Sequence, residues 1–221
     1  SEFVKTGKCV ERPELHLGDD EERTKRFADS MFGRAMGIGQ GIIPMLGPLR
    51  GRVLDLAGGP GAYAILMCKA FDQVQCDTVG LPAISAHAKR YVESFGLSDR
   101  VRCIEGDYHK DEYAPESYDA VTIFGALHQE SPERILDIIR RAYRALVKGG
   151  VLYVLDMMTD KTHAAPKFSA LFAVNMALTT QNGWVFSDEE LKSWMIAAGF
   201  EVYPTLEAPR PMPHWIVKAR K

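Results

Sequence analysis

Cysteine is scarce in this sequence and does not cluster: four in 221 residues, with no C-x-x-C pair that would read as a metal or redox motif. Cys68, Cys76 and Cys103 fall in apolar helix or strand patterns, where a reduced thiol packs as a small hydrophobe. Together with Cys9, in a polar stretch, they fit a reducing cytoplasm rather than a disulfide framework. Long apolar runs are missing too. Stretches such as residues 151–155 are far too short to span a bilayer, and no charged-then-apolar signal opens the chain. Nor is there an excess of one charge: 27 basic residues against 29 acidic give a formal −2, with no long block of either sign. That argues against nucleic acid or a membrane as partner. No internal repeat or low-complexity segment occurs. What remains is 46% hydrophobic residues, ample for one core and suited to small-molecule chemistry.

The order of patterns is more informative. Residues 1–20 are polar and irregular, and residues 19–36 have an acidic first turn with Phe27, Met31 and Ala35 at helical spacing. Gly37, Gly39, Gly41, Pro44, Gly47 and Pro48 then interrupt the pattern. Residues 52–56 form a short apolar strand, a glycine turn follows, and residues 62–71 suit a helix. Strands are expected at 73–79, 101–104, 118–124 and 151–156. Between them, residues 84–95 read as a helix stopped by Gly96. Ser131-Pro132 opens another, with Ile135, Ile139, Ala142 and Leu146 as its core face and Gly149-Gly150 as its end.

Such alternation requires a mostly parallel sheet covered on both faces. Residues 165–181 read as an apolar helix beginning at Pro166. Ser187 and Glu190 form a capping box for a further helix that ends at Gly199. Residues 200–203 and 215–219 are two strands, joined by a connection too short for a covering helix and so antiparallel. The division expected is residues 1–50 as linker and helical cap, and 51–221 as a single ligand-binding domain.

The chemistry begins at Asp55-Leu-Ala-Gly58-Gly59-Pro-Gly61, between strand and helix. The glycines let a ligand approach the backbone above the carboxyl ends of the strands. Glycines alone describe an ordinary tight turn, and a dinucleotide fingerprint would need G-x-G-x-x-G spacing. Asp55, at the strand end, would repel a pyrophosphate but could serve a cationic amino-acid moiety, directly or through water. Charge therefore favours S-adenosylmethionine over NAD. Gly106-Asp107-Tyr108 follows the third strand, where a carboxylate can accept from an adenine amino group and the ring can flank the purine. Standing alone, this tripeptide reads equally well as a solvated turn.

From roughly Phe27 to the C-terminus the chain resembles the catalytic domain of the class I small-molecule O-methyltransferases, the group of plant phenylpropanoid, bacterial polyketide and hydroxyindole enzymes. The resembling stretches are residues 54–61, Leu81-Pro82, Ser98-Asp-Arg-Val101, Gly106-Asp107, Ala126-Leu-His128, residues 136–150 and Ala197-Ala-Gly-Phe200. The resemblance implies a doubly wound, Rossmann-like α/β fold with a seven-stranded sheet, its last strand antiparallel and helices on both faces. It implies S-adenosylmethionine as cofactor, with S-adenosylhomocysteine as product, held by Asp55, Gly58, Gly59, Gly61, Gly80, Leu81, Asp107, Tyr108 and Phe124. It places His128 at the general-base position, with Asp156 orienting it. An imidazole of pKa about 6.5 can take the proton of a phenol of about 10 as the oxygen attacks. It also implies a winged-helix dimerisation domain ahead of this chain, residues 1–17 being the linker that follows it, so that the full-length protein is a homodimer and this chain a catalytic fragment.

The chain departs from that pattern in places. Gly80 stands where an acid usually holds the ribose, and Asp77 lies three residues too early to replace it without a bulge. Gln129 replaces a common Asp and Phe124 a common Lys. Gly183-Trp184-Val185-Phe186-Ser187 replaces a Gly-Arg-Glu-Arg-Thr type sequence that carries a second supporting acid. If the family's layout holds, Met31, Phe168, Phe172, Met176, Trp184 and Phe186 lie over the carboxyl edge and favour a flat, apolar substrate, with Asn175 as a polar contact. Met and aromatic residues at such spacing are also what a core uses. The histidines are scattered, so no metal is expected. Alternatives are methylation of carbon or nitrogen, or a cofactor-binding protein that has lost or changed the transfer.

Overall fold

A computed structural model describes residues 5–6 and 20–221. Apart from Lys5 and Thr6, the expected linker lies outside the described residues, as does Cys9. From residue 20 onward the first element is helix α1 (Glu21–Ile42), followed by a 3-10 turn over Ile43–Leu46. Strand β1 (Gly51–Leu56) leads to α2 (Ala62–Ala70), β2 (Val74–Gly80), α3 (Pro82–Ser94), β3 (Val101–Glu105), β4 (Tyr118–Phe124), α4 (Pro132–Ala145) and β5 (Leu146–Asp156). After these come α5 (Lys167–Thr179), α6 (Asp188–Ala197), β6 (Glu201–Val202), β7 (Leu206–Glu207) and β8 (Trp215–Arg220).

The sheet runs β3-β2-β1-β4-β5-β8-β6. The first five strands are parallel, and β8 enters antiparallel between β5 and β6. The expected α/β architecture is therefore present, including the antiparallel tail. Beyond the seven strands on that path, β7 adds a two-residue pairing on β8, Leu206 opposite Ile216. Two apolar layers sandwich the sheet. One joins Leu54, Val121, Ile135, Ile139, Leu152 and Leu191, and the other joins Ile42, Val53, Ile65, Met67, Tyr153 and Ile216.

Two expected boundaries move. Helix α1 does not stop at Met36 but continues through Gly37, Gly39 and Gly41. A Cβ on Gly39 would lie 2.3 Å from Leu66 Cδ1, so the absence of a side chain lets α1 lie directly on α2. That contact offsets the low helix propensity of glycine. Likewise α4 ends at Ala145, before Gly149-Gly150, and β5 starts at Leu146. The glycines lie inside the strand, where the ladder slips between Tyr118–Leu146 and Ala120–Val151. Gly149 there has φ 81°, a bulge conformation that glycine supplies without strain.

Ser187 caps α6 as its sequence requires: its hydroxyl accepts from Glu190 N and its own N–H donates to Glu190 Oε2 at 2.7 Å. Cys68, Cys76 and Cys103 are unpaired. Burial pushes the Cys68 and Cys103 thiols up to about 11. Among the described residues no helix is long and apolar enough to cross a membrane.

Candidate active site

β1 is the middle one of the five parallel strands, and its carboxyl end opens into the glycine turn. Asp55 is fully buried and stands in register with Thr78 on one neighbour and Thr122 on the other. Both threonine hydroxyls donate to it, at 3.1 and 2.8 Å. Burial outweighs those bonds and raises its pKa to about 6. The turn folds over this carboxyl. A Cβ on Gly58 would lie 2.0 Å from Thr78 Oγ1 and 2.2 Å from Asp55 Oδ2, so the site accepts only glycine.

Gly59 behaves oppositely: its φ is 55° and a Cβ would meet nothing closer than Ala57 O at 3.9 Å. Gly58 thus faces the sheet and Gly59 faces open space. Ala57 and Gly61 share the left-handed conformation, at φ 55° and 80°. Gly61 caps α2 without a side chain. Gly80 ends β2 beside this turn, where a Cβ would stand 3.5 Å from Gly59 O, and Leu81 caps α3. The residues singled out in the first two loops therefore converge, and they leave bare backbone toward the space above the sheet.

Asp77 does not substitute for the missing acid. The β2–β3 ladder is regular from Cys76 to Gly80, and the Asp77 carboxylate is held by Arg102 at 2.7 Å, Arg52 at 2.9 Å and the Tyr118 hydroxyl at 2.8 Å. The carboxylate next to Gly80 across the sheet is Glu105, paired with Lys89 at 2.7 Å.

After β3, the Asp107 loop is pinned by Arg141, a buried guanidinium that donates to the carbonyls of Asp111 and His109 at 2.9 and 3.0 Å. Asp107 Oδ1 accepts from the backbone N–H of His109 at 3.0 Å. Tyr108 turns its hydroxyl inward, donating to Glu130 at 2.7 Å, and its ring stacks on His109 with centroids 4.1 Å apart.

The second centre lies at the ends of β4 and β5. His128 sits in a 3-10 turn over Leu127–Gln129, immediately after β4. Its Nδ1 is 2.8 Å from Oδ1 of Asp156, the last residue of β5. Asp156 is fully buried and also accepts from the N–H of Met157 at 2.8 Å and of His128 at 3.3 Å. Burial alone would raise this carboxyl. The charge and hydrogen bond of His128, with the two backbone donors, carry it below the usual carboxylate range instead. Nδ1 is committed, and among the described residues His128 Nε2 has no hydrogen-bond partner. The edge of Phe172 packs on the imidazole, centroids 5.2 Å apart.

An O-methyltransferase domain model matches residues 14–201. The chain belongs to that family. Among its relatives, the L-tyrosine C(3)-methyltransferase of Streptomyces lavendulae is 28% identical over 77% of this chain and 47% of its own length. The aclacinomycin 10-hydroxylase RdmB of Streptomyces purpurascens is 31% identical over 66% of this chain and 39% of its own length. Human N-acetylserotonin methyltransferase, solved in complex with SAM, superposes with a TM-score of 0.84 at 21% identity, covering 100% of this chain and 64% of that one. The chain spans about half the length of the first of these curated relatives. The glycine turn has left-handed backbone at Ala57, Gly59 and Gly61, and His128 and Asp156 are in hydrogen-bond contact.

The remaining expected positions divide. Phe172 reaches His128, and Met176 is buried on the same helix. Trp184 is locked to the His128 loop: its N–H donates to His128 O at 2.9 Å and its indole Nε1 to Glu130 O at 2.8 Å. Its ring packs edge-on to Trp194 and Phe186. Much of its surface is thus spent on structure, and Phe186 is core.

Phe124, at the end of β4, is buried with its ring edge-on to Tyr63, centroids 5.0 Å apart. Met31 is half-buried on α1, whose main contacts run to α2 and α3. Asn175 is exposed on α5, as is Phe168. Sequence reading missed Thr78, Thr122, His109 and Glu130. The threonines are ordinary strand formers and give no signal alone; what marks them is their register with Asp55. His214 gives no sequence signal either. It precedes the β8 residue that pairs with Asp156, and burial holds its imidazole neutral, near pKa 4.

Proposed function

We propose that the chain binds S-adenosylmethionine over the glycine turn and transfers its methyl group to a hydroxyl of an aromatic or apolar small molecule. Gly58, Gly59, Gly61 and Leu81 would give the cofactor its backbone bed, with Gly80 beside them. Asp107 would accept from the adenine, with Tyr108 behind it. Asp55, sealed beneath the turn, would shape the bed and add negative potential below the cationic end without touching it. When bound, the cofactor supplies a methyl group on a sulfonium, which departs as a neutral thioether.

The single observation that carries this reading is the His128–Asp156 pair, 2.8 Å apart, at the carboxyl ends of the adjacent strands β4 and β5, with β4 next to β1. Asp156 accepts the Nδ1 proton, which fixes the tautomer that leaves Nε2 as base. A substrate hydroxyl at Nε2 then loses its proton as its oxygen attacks. The buried carboxylate balances the imidazolium that results. Phe172, Met176 and Trp184 would shape an apolar, water-poor pocket, with Met31 and Asn175 at its rim.

A second reading, methylation at carbon, has its own support in the C-methyltransferase relative. A phenolate is nucleophilic at oxygen and at the ring carbon beside it. The same deprotonation by His128 therefore serves both outcomes, and the atom aimed at the methyl decides between them. Residues 51–221 would form the catalytic domain and residues 1–50 its cap and linker. The full-length protein would be a cytoplasmic homodimer, assembled through a preceding domain. The test is transfer of labelled methyl from S-adenosylmethionine to a panel of phenols. Products labelled on oxygen, abolished by His128→Ala, support the leading reading. Ring-carbon products support the second, and absence of any transfer counts against both.

A further inference from the structure

His109 lies between two carboxylates. Its Nδ1 is 2.7 Å from Asp107 Oδ1 and its Nε2 is 2.7 Å from Glu130 Oε1. An ionised carboxylate can only accept hydrogen bonds, and a neutral imidazole can donate only one. Both contacts are satisfied together when the ring carries two protons. Glu130 is buried and also accepts from Tyr108, so it would otherwise be a buried charge with one neutral donor.

We propose that His109 is a positioning residue that stands as an imidazolium between Asp107 and Glu130, tying the adenine-accepting carboxylate to the loop that carries His128. The proposal rests on the cofactor reading above. His109 fills Asp107 Oδ1 and leaves Oδ2, 3.2 Å from Lys110 Nζ, as the oxygen for an adenine amino group. At the other end Glu130 is two residues from His128, and its carbonyl receives the Trp184 indole. Cofactor edge, bridge and base loop are therefore one connected unit.

The charged groups around the ring are Asp107 and Lys110 on its own loop, Glu130 on the His128 loop, and Arg134 on α4, which interacts with both Glu130 and Tyr108. Arg141 and Asp111 hold the loop's backbone. The hydrogen bond to Glu130 is the largest influence on the ring and raises its pKa. Burial opposes this, and the charge of Glu130 and the Asp107 contact add to it. The sign follows: the bridge is complete at low pH and is lost as pH rises through the raised value.

The experiment is S-adenosylhomocysteine affinity by calorimetry from about pH 6 to about pH 8.5, with the His109 ring followed by NMR over the same range. Expected are a His109 midpoint above about 6.5 and wild-type affinity that weakens about tenfold toward the alkaline end. His109→Gln, uncharged throughout, should bind at the weak level with a flat profile. Glu130→Gln should lower the His109 midpoint. A midpoint at or below 6.5, or a flat wild-type profile unaffected by His109→Gln, overturns the bridge while leaving the cofactor site intact. No wild-type binding at any pH would remove the cofactor site and this role with it.

Discussion

His128 is held by Asp156 through two separate contacts: the carboxylate takes the ring at Nδ1, 2.8 Å away, and the backbone N–H of the same residue at 3.3 Å. Side chain and loop are thus anchored to one buried group. Val185 stands where the resembling pattern has its second acid, and its neighbour Trp184 hydrogen-bonds the same loop from the other side.

If His128 Nε2 takes the substrate proton, His128→Ala should lower kcat about a hundredfold to ten-thousandfold, with S-adenosylhomocysteine affinity unchanged. Asp156→Asn should also lower kcat, since an amide can favour the wrong tautomer. Steady-state kinetics on any accepted phenol checks both. An unchanged kcat in His128→Ala removes the base.

The two adjacent glycines should fail differently. Gly58→Ala pushes a methyl into Thr78 and Asp55 and should destabilise the fold by about 1–3 kcal/mol. Gly59→Ala meets open space, so its stability loss should be limited to about 1 kcal/mol for the left-handed backbone, while cofactor binding weakens. Denaturant midpoints and calorimetry on the two variants separate these effects. Equal losses in both would mean that the turn's inner and outer faces are misassigned.

Asp55 carries a stability penalty for the site. Its pKa is 3.8 normally and about 6 here, a difference of about 3 kcal/mol. Between those values the folded state keeps a proton that the unfolded chain has released. Stability therefore falls as pH rises from about 4 to about 6, and the full penalty applies above. Asp55→Asn should remove that slope and leave the cofactor-free protein at least as stable at neutral pH, since a threonine hydroxyl can also accept from the new amide. Urea titrations across this window measure it. A large loss of stability at neutral pH in Asp55→Asn would contradict the assignment.

Trp184→Phe keeps an aromatic ring but loses the bond to Glu130 O. It should reduce stability by about 1 kcal/mol and, if His128 is the base, lower kcat more than it alters cofactor affinity, because the loosened loop carries His128. If only KM for the acceptor changes, Trp184 is a substrate contact alone.

Much of the frame was legible in the sequence because local chemistry dictated it. The glycine turn, the Ser131-Pro132 start and the Ser187–Glu190 box each place a residue type where the backbone requires it. The errors came where tertiary contact overrode a local signal. Gly39 reads as a helix break until α2 is seen to press against it, and Gly149-Gly150 reads as a stop until the β4–β5 slip is seen. His128 and Asp156 were found through resemblance, being 28 residues apart with no local pattern to join them. His109 and Glu130 were missed for the same reason, and no resemblance pointed to them.

The most direct test of the central claim is calorimetric titration of this chain, and of Gly59→Val, with S-adenosylmethionine and S-adenosylhomocysteine. The account predicts wild-type binding of both on the order of micromolar and none in Gly59→Val, whose side chain fills the bed. A wild-type titration indistinguishable from buffer, or a Gly59→Val that binds normally, would contradict it.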